Sequence, residues 1–316
     1  MSHFPACGTV KTVIPFFFFL FGIVIGSFLN VCISRIPEGL SIVSPGSRCP
    51  RCLKAIKPYD NIPVFGWLIL GGKCRNCKLP ISPMYPIVEF ITGLVFILSW
   101  YEFGLTLATI KWLIFSCLLI VLFVTDLRVR ILPDVVNFPG MFVGFVLALF
   151  VPINDNNAGT VFLLTFHQLP PYPTSVFSLL SAIAGALFGS FLLWGAAALY
   201  KIVRKREGMG MGDVKMMAMI GAFVGPRDTF LTILLGTLLG SIIGLSWIVL
   251  LYLLGWKRKV AVRASRRGLG SISSLRWAIA SQYQLPLGTF LAIGAFFVVY
   301  AMPWLDTRLL PVLREP

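Results

Sequence analysis

Two aspartates stand at the polar edges of two apolar runs: Asp126 in Thr125-Asp126-Leu127-Arg128, and Asp213 in Gly208-Met209-Gly210-Met211-Gly212-Asp213-Val214-Lys215. An acid at a membrane edge costs free energy unless it is paired or used, so two of them point to catalysis. If the two side chains meet about 5 Å apart at an effective dielectric of about 20, they repel by roughly 3 kcal/mol, which is worth about two pH units. Such a pair shares one proton. One carboxylate then activates a water as general base while the other protonates an amine product as general acid, and spacing alone does not say which is which.

Helix ends separate the candidates. A carboxylate caps a helix N-terminus well and a C-terminus badly, so capping alone accounts for Asp213 or for Asp134, each of which precedes a helix. It does not account for Asp126, at a C-terminal end, which makes Asp126 a better partner for Asp213 than Asp134 is. Arg128 or Arg130 offers Asp126 a simple ion pair instead. Gly210 and Gly212 leave room for an extended substrate backbone beside Asp213, although glycine before a helix is more often a hinge.

A second constellation lies upstream. Cys49-Pro50-Arg51-Cys52 and Cys74-Arg75-Asn76-Cys77 form two CxxC pairs 21 residues apart. Four thiolates at this spacing fit tetrahedral zinc; a redox pair, an iron site and a metal-free loop are the alternatives. Four protein ligands leave no position for a reacting water, so the metal would fold its segment rather than run a reaction. Cys7, Cys32 and Cys117 stand apart and read as packing residues. The two histidines, His3 and His167, are placed where neither can serve the acids.

The elements that must position these groups are membrane helices. The 316 residues are 57% hydrophobic and 12% charged, with a mean hydropathy of +0.88, which excludes an ordinary soluble domain. Spanning the bilayer takes about 20 apolar residues. About eight runs qualify, at 13–34, 84–103, 105–125, 135–153, 175–200, 213–225, 229–255 and 286–305. The sixth is too short to cross alone, so it must be part-embedded or shielded by neighbours. The first run, with Phe16 to Phe19, lacks a small-residue cleavage site beyond it and reads as a retained span, not a signal peptide. The expected fold is an all-α polytopic membrane protein: residues 1–34 the first span, 35–83 a small inserted zinc domain, and 84–316 a helical catalytic domain.

Charge orients the bundle. Of 27 Lys and Arg, 22 fall in 35–78, 128–130, 201–215 and 257–276, which alternating spans place on one face. That face is cytoplasmic by the positive-inside rule, with both termini outside. The net charge of +15 is thus a topology signal with added affinity for anionic lipid, and not a sign of nucleic-acid binding. Asp126 and Asp213 then share the cytoplasmic boundary, and the cysteines sit in a reducing compartment where disulfides are not expected.

With these residues in place, the chain resembles the type IV prepilin peptidases, bifunctional leader peptidases and N-methyltransferases of the bacterial inner membrane. The resemblance rests on Gly26-Ser27-Phe28-Leu29-Asn30-Val31 with Arg35-Ile36-Pro37, Asn61-Ile62-Pro63-Val64 with Gly66-Trp67-Leu68, and Tyr85-Pro86-Ile87-Val88-Glu89. It rests equally on Asp126-Leu127-Arg128 with Ile131-Leu132-Pro133-Asp134, and on the segment ending in Asp213-Val214-Lys215. Cys32 and Ser34 depart from the family's opening signature. The resemblance implies Asp126 and Asp213 as catalytic residues, Cys49, Cys52, Cys74 and Cys77 as zinc ligands, and type IV prepilins or pseudopilins as substrates. Cleavage follows a leader glycine, and the new N-terminus is methylated from S-adenosylmethionine. No Rossmann-type glycine turn is visible, so the methyl-donor site is sought around 35–89, where Glu89 is either snorkelling or functional. The rival readings are another GxGD intramembrane aspartyl protease and a non-enzymatic transport or assembly scaffold.

Overall fold

A computed structural model describes residues 8–153, 174–205, 209–253 and 286–303. The polar segments expected at 153–174 and 256–285 fall almost wholly outside these, as do Cys7, His3, His167 and Gly208. Nine α-helices appear among the described residues: α1 Gly8–Arg35, α2 Phe65–Ile69, α3 Met84–Phe103, α4 Leu107–Val129, α5 Asp134–Phe150, α6 Thr174–Arg204, α7 Met211–Val224, α8 Pro226–Leu253 and α9 Leu287–Tyr300. Apart from α2, they fall on the eight apolar runs in order. Five of them, α1, α3, α4, α6 and α8, are long and apolar enough to cross a membrane unaided. The chain is a multi-pass membrane protein with a four-cysteine cluster after its first helix.

Helix α7 carries Asp213 and depends on its neighbours. Its 14 residues reach about 21 Å, short of the roughly 30 Å hydrocarbon layer. Met216, Met217, Met219, Ile220 and Phe223 are fully buried, because α5, α6, α8 and α9 pack around it. Small residues make the closest approach possible. Gly185 of α6 lies backbone to backbone against Gly221 of α7, and one turn on, a Cβ at Gly189 would come 3.1 Å from the Met217 carbonyl oxygen. Gly185 and Gly189 form the small-xxx-small pattern through which membrane helices gain van der Waals contact where lipid supplies no hydrophobic drive.

The first and third helices meet in the same way. A Cβ on Gly22 would fall 2.8 Å from the Gly93 Cα, and one on Gly26 would fall 2.7 Å from the Glu89 Cα. At the end of this pair Asn30 Nδ2 donates to the Tyr85 carbonyl at 2.9 Å. Gly26 and Asn30 therefore mark a docking face, which brings the two ends of the inserted segment together. We expect Gly185→Leu or Gly221→Leu to lower the thermal unfolding midpoint of the purified protein, an overpacking cost of about 1–3 kcal/mol or more. Gly195→Leu should leave the midpoint unchanged, since a Cβ there meets nothing within 4 Å.

Candidate active site and metal centre

Asp126 lies in the last turn of α4, which ends at Arg130 in a left-handed conformation (φ 56°) with the Arg130 N–H on the Asp126 carbonyl. Its side chain is turned inward and is only 5% exposed. Asp213 occupies the first turn of α7 and is half-buried. The two carboxylates meet over Gly288: one point, the position of a Cβ on that glycine, is 3.0 Å from Asp126 Oδ2 and 3.2 Å from Asp213 Oδ1. The ends of α4, α7 and α9 that carry these residues accordingly share one face of the bundle.

Neither Asp134 nor Asp213 is itself the N-cap of its helix, although Asp213 accepts a backbone hydrogen bond from Gly210. The N-cap of α7 is Gly210 and that of α5 is Pro133, and neither gives a side-chain cap. Asp134 instead accepts both of its contacts from Lys215 Nζ, at 2.7 and 2.9 Å, an exposed ion pair linking the start of α5 to α7. Asp126 receives Thr289 rather than Arg128 or Arg130: the Thr289 N–H and Oγ1 both donate to its Oδ2, at 2.7 and 2.9 Å. The backbone of Gly288 and Gly210 faces the Asp213 carboxylate.

This third wall, the N-terminal turn of α9, was not anticipated from the sequence. Helix N-termini present free N–H groups and partial positive charge, which suits two acids that must hold at least one negative charge between them. The available signal was Pro286-Leu287-Gly288-Thr289, a proline and a glycine opening the last apolar run. The two glycines before Asp213 also divide differently from expectation. A Cβ on Gly212 would come 3.0 Å from the Leu132 side chain, so Gly212 is there for packing. Gly210 has only Asp213 Oδ2 and the Gly212 N nearby, at 3.8 and 3.9 Å, and it alone keeps an open approach to the acid.

The cysteine segment is built from two copies of one unit. In the first, the Cys49 N–H bonds the Lys54 carbonyl and the Leu53 N–H bonds the Cys49 carbonyl. In the second, Cys74 pairs with Leu79 and Lys78 with Cys74 in the same way. Leu53 and Lys78 both take positive φ, 58° and 59°, to close the turn. These two turns bring all four Sγ atoms within 4.8 Å of one another, with Cys49 and Cys77 3.9 Å apart. Tetrahedral sulfur ligands about 2.3 Å from a metal stand about 3.8 Å from each other, so the donor set fits a metal ion. The backbone N–H groups of Cys77 and Asn76 pull the Cys74 thiol down to about 6, so this ligand is readily available as thiolate.

Between the two turns, the Arg75 guanidinium grips Asp60 through two bonds of 2.8 and 2.6 Å and holds that carboxyl below the usual range. Trp67 Nε1 reaches the Ile81 carbonyl at 3.2 Å. Val64, at φ 63°, gives its N–H to Glu89 Oε2 at 2.7 Å. Glu89 is 8% exposed and faces Ser27 and Asn30 as well. It is not snorkelling; it ties the cysteine segment to α1 and α3. Cys32 is buried and Cys117 half-buried, both away from this cluster.

The fold and site define a multi-pass helical membrane protein in which two aspartates lie side by side. Two family profiles match the chain: one described as the bacterial peptidase A24 N-terminal domain over residues 20–103, the other as the type IV leader peptidase family over residues 113–245. The chain is 34% identical over 245 residues to a prepilin leader peptidase/N-methyltransferase of Myxococcus xanthus, covering 78% of this chain and 66% of that protein. It is also 34% identical to proteins of the same name from Pseudomonas aeruginosa (71% of this chain, 78% of the relative) and Klebsiella pneumoniae (70% and 90%). No solved structure matches the chain. The chain belongs to the type IV leader peptidase family.

Gly288 passes between the two acids because it has no side chain. Gly288→Ala would place a methyl group in contact with both carboxylates and with Leu132. We expect this variant to fold and to lose at least about tenfold in kcat, as misplacement of reacting groups by about 1 Å does elsewhere; kinetics of the purified variant, with its melting temperature as control, check this.

Proposed function

We propose that this protein is an aspartic endopeptidase that removes the leader from type IV prepilins or pseudopilins at the cytoplasmic face of the membrane, and that it N-methylates the new N-terminus. The observation that carries the peptidase reading is the convergence of Asp126 and Asp213 over Gly288. The names of the relatives supply the substrate class and the methyl transfer. In the reaction a water lies between the acids. The ionised carboxylate takes a proton from it as oxygen attacks the scissile carbonyl, and the protonated one delivers its proton to the departing amine nitrogen as the C–N bond breaks. Gly210 leaves the side on which an extended substrate backbone reaches Asp213.

The distribution of the basic segments supports a dyad and a cysteine domain on the cytoplasmic side, with about eight crossings and both termini outside. Residues 1–34, 35–83 and 84–316 then act as first span, metal domain and catalytic domain. Cys49, Cys52, Cys74 and Cys77 hold a structural Zn2+, for which an all-thiolate tetrahedral set is suited. The surrounding partners are lipids, anionic ones at the basic face, with no role for nucleic acid. S-adenosylmethionine supplies the methyl group. Glu89 is already engaged by Val64, Ser27 and Asn30, so we assign it no role in methyl transfer.

The test is to incubate membranes carrying the wild type, Asp126→Asn or Asp213→Asn with a type IV prepilin and to sequence the product's N-terminus. Wild type alone should cut after the leader glycine; cleavage retained by a well-expressed variant removes that aspartate from the mechanism. Labelled S-adenosylmethionine in the same tubes reads methylation, which is contradicted if the precursor is cut and no label is transferred. Elemental analysis should find one zinc per chain, and Cys74→Ser should lose it along with thermal stability.

A further inference from the structure

Resting on the dyad just proposed, one residue breaks the symmetry between its two acids. Thr289 is 5% exposed and stands in the first turn of α9, immediately after the glycine that separates the carboxylates. It gives two donors, its N–H and its Oγ1–H, to a single oxygen, Asp126 Oδ2. An ionised carboxylate is an acceptor only, whereas a protonated one turns one oxygen into a donor. A proton on Asp126 Oδ2 would face the Thr289 N–H, which cannot accept it, and would reverse the hydroxyl bond; a proton on Oδ1 would weaken both bonds, which an ionised oxygen accepts more strongly. Asp213 has no such side chain against it; it is more exposed, and the hydrogen bonds it accepts come from the backbone of Gly288 and Gly210. Arg130 gives its backbone N–H to the Asp126 carbonyl, and its positive charge also favours the ionised Asp126, in the same direction as Thr289.

We infer that Thr289 is a positioning residue that divides the work of the dyad: by occupying Asp126 Oδ2 with two hydrogen bonds it makes Asp126 the ionised general base and leaves the shared proton on Asp213, the general acid. The steps balance. Asp126 takes a proton from water, the hydroxyl oxygen bonds to the scissile carbon, and the Asp213 proton passes to the leaving nitrogen. One proton remains on the dyad, and its return from Asp126 to Asp213 restores the resting state. Thr289 itself neither gains nor loses a proton.

The hydroxyl is separable from the fold. Thr289→Val keeps the branched shape and the N–H and loses only the Oγ1 donor, Thr289→Ala loses the same donor with less bulk, and Thr289→Ser keeps both donors. For the purified full-length protein cutting a type IV prepilin, the acid limb of kcat against pH reports the base. Losing a donor to the base means that a more alkaline solution is needed to ionise it, so the limb in Val and Ala should move up by about one pH unit. Near the old limb kcat should fall by about tenfold and recover at higher pH, KM should stay within about twofold, and Ser should restore the wild-type curve. An unchanged curve, or a loss of the same size at every pH, in either donor-deleted variant overturns the inference. Asp126→Asn and Asp213→Asn run alongside: if either still cuts, the dyad itself has failed, which no behaviour of the Thr289 series can mimic.

Discussion

Two carboxyl groups held side by side in a largely buried site are the constraint around which the rest of this protein is arranged. Repulsion between Asp126 and Asp213 must be offset where they meet, and the molecule does so mainly with a helix end, with the charge of Arg130 farther off. The first turn of α9 supplies N–H groups and a hydroxyl, leaves a gap at Gly288, and closes one side of the site with the leucine at 132. A lysine or arginine at this point would hold both acids ionised and deprive the pair of the proton it needs to share. The nearby charges are disposed accordingly: Lys215 is drawn off to Asp134 at the rim, and Arg130 turns the chain.

Holding three chain segments to one point in a membrane requires close helix contact, and the glycines provide it. The α6–α7 and α1–α3 pairs both approach through glycine at a spacing of four residues, Gly185 and Gly189 in one case, Gly22 and Gly26 in the other. In the first pair the contact fixes the helix that bears an acid; in the second it fixes the two ends of the metal segment. Glu89 then joins the two levels of structure, since its buried carboxylate receives a backbone N–H from the cysteine segment while its own Cα lies against Gly26.

Much of this was legible in the residues. Apolar runs gave the helices to within a few residues, since period and length are local properties. The choice of Asp126 over Asp134 followed from which end of a helix each acid occupies; Asp126 lies beside Asp213 over Gly288, and Asp134 pairs with Lys215. The CxxC pairs announced a cluster of four sulfurs. Other features were hidden for physical reasons. Thr289 is 163 residues from Asp126 along the chain, lies beyond the matched family profiles, and is of a residue type common in any helix. Gly212 read as room for a substrate backbone or as a hinge because sequence shows a missing side chain without showing what fills the space, here Leu132. Glu89 was ambiguous because a carboxylate near a helix start serves equally as a snorkelling group or as a functional one, and its burial against the Val64 N–H, which excludes snorkelling, is set by residues distant in the chain.

The short helix α7 has a consequence for the protein's relation to its bilayer. A helix that contacts lipid along its length must tilt, kink or deform the membrane when the hydrocarbon thickness differs from its own, each at a fraction of a kcal/mol per Å. Helix α7 is sheathed by its neighbours from Val214 to Val224, so this adjustment falls on the longer helices around it. Growth temperature and lipid composition change the thickness of bacterial membranes, and a protein of this build can tilt its outer helices in response while the acid at the head of α7 keeps its register with α9. Asp213 is in this sense suspended inside the bundle, on a helix that meets its neighbours rather than the surrounding fluid.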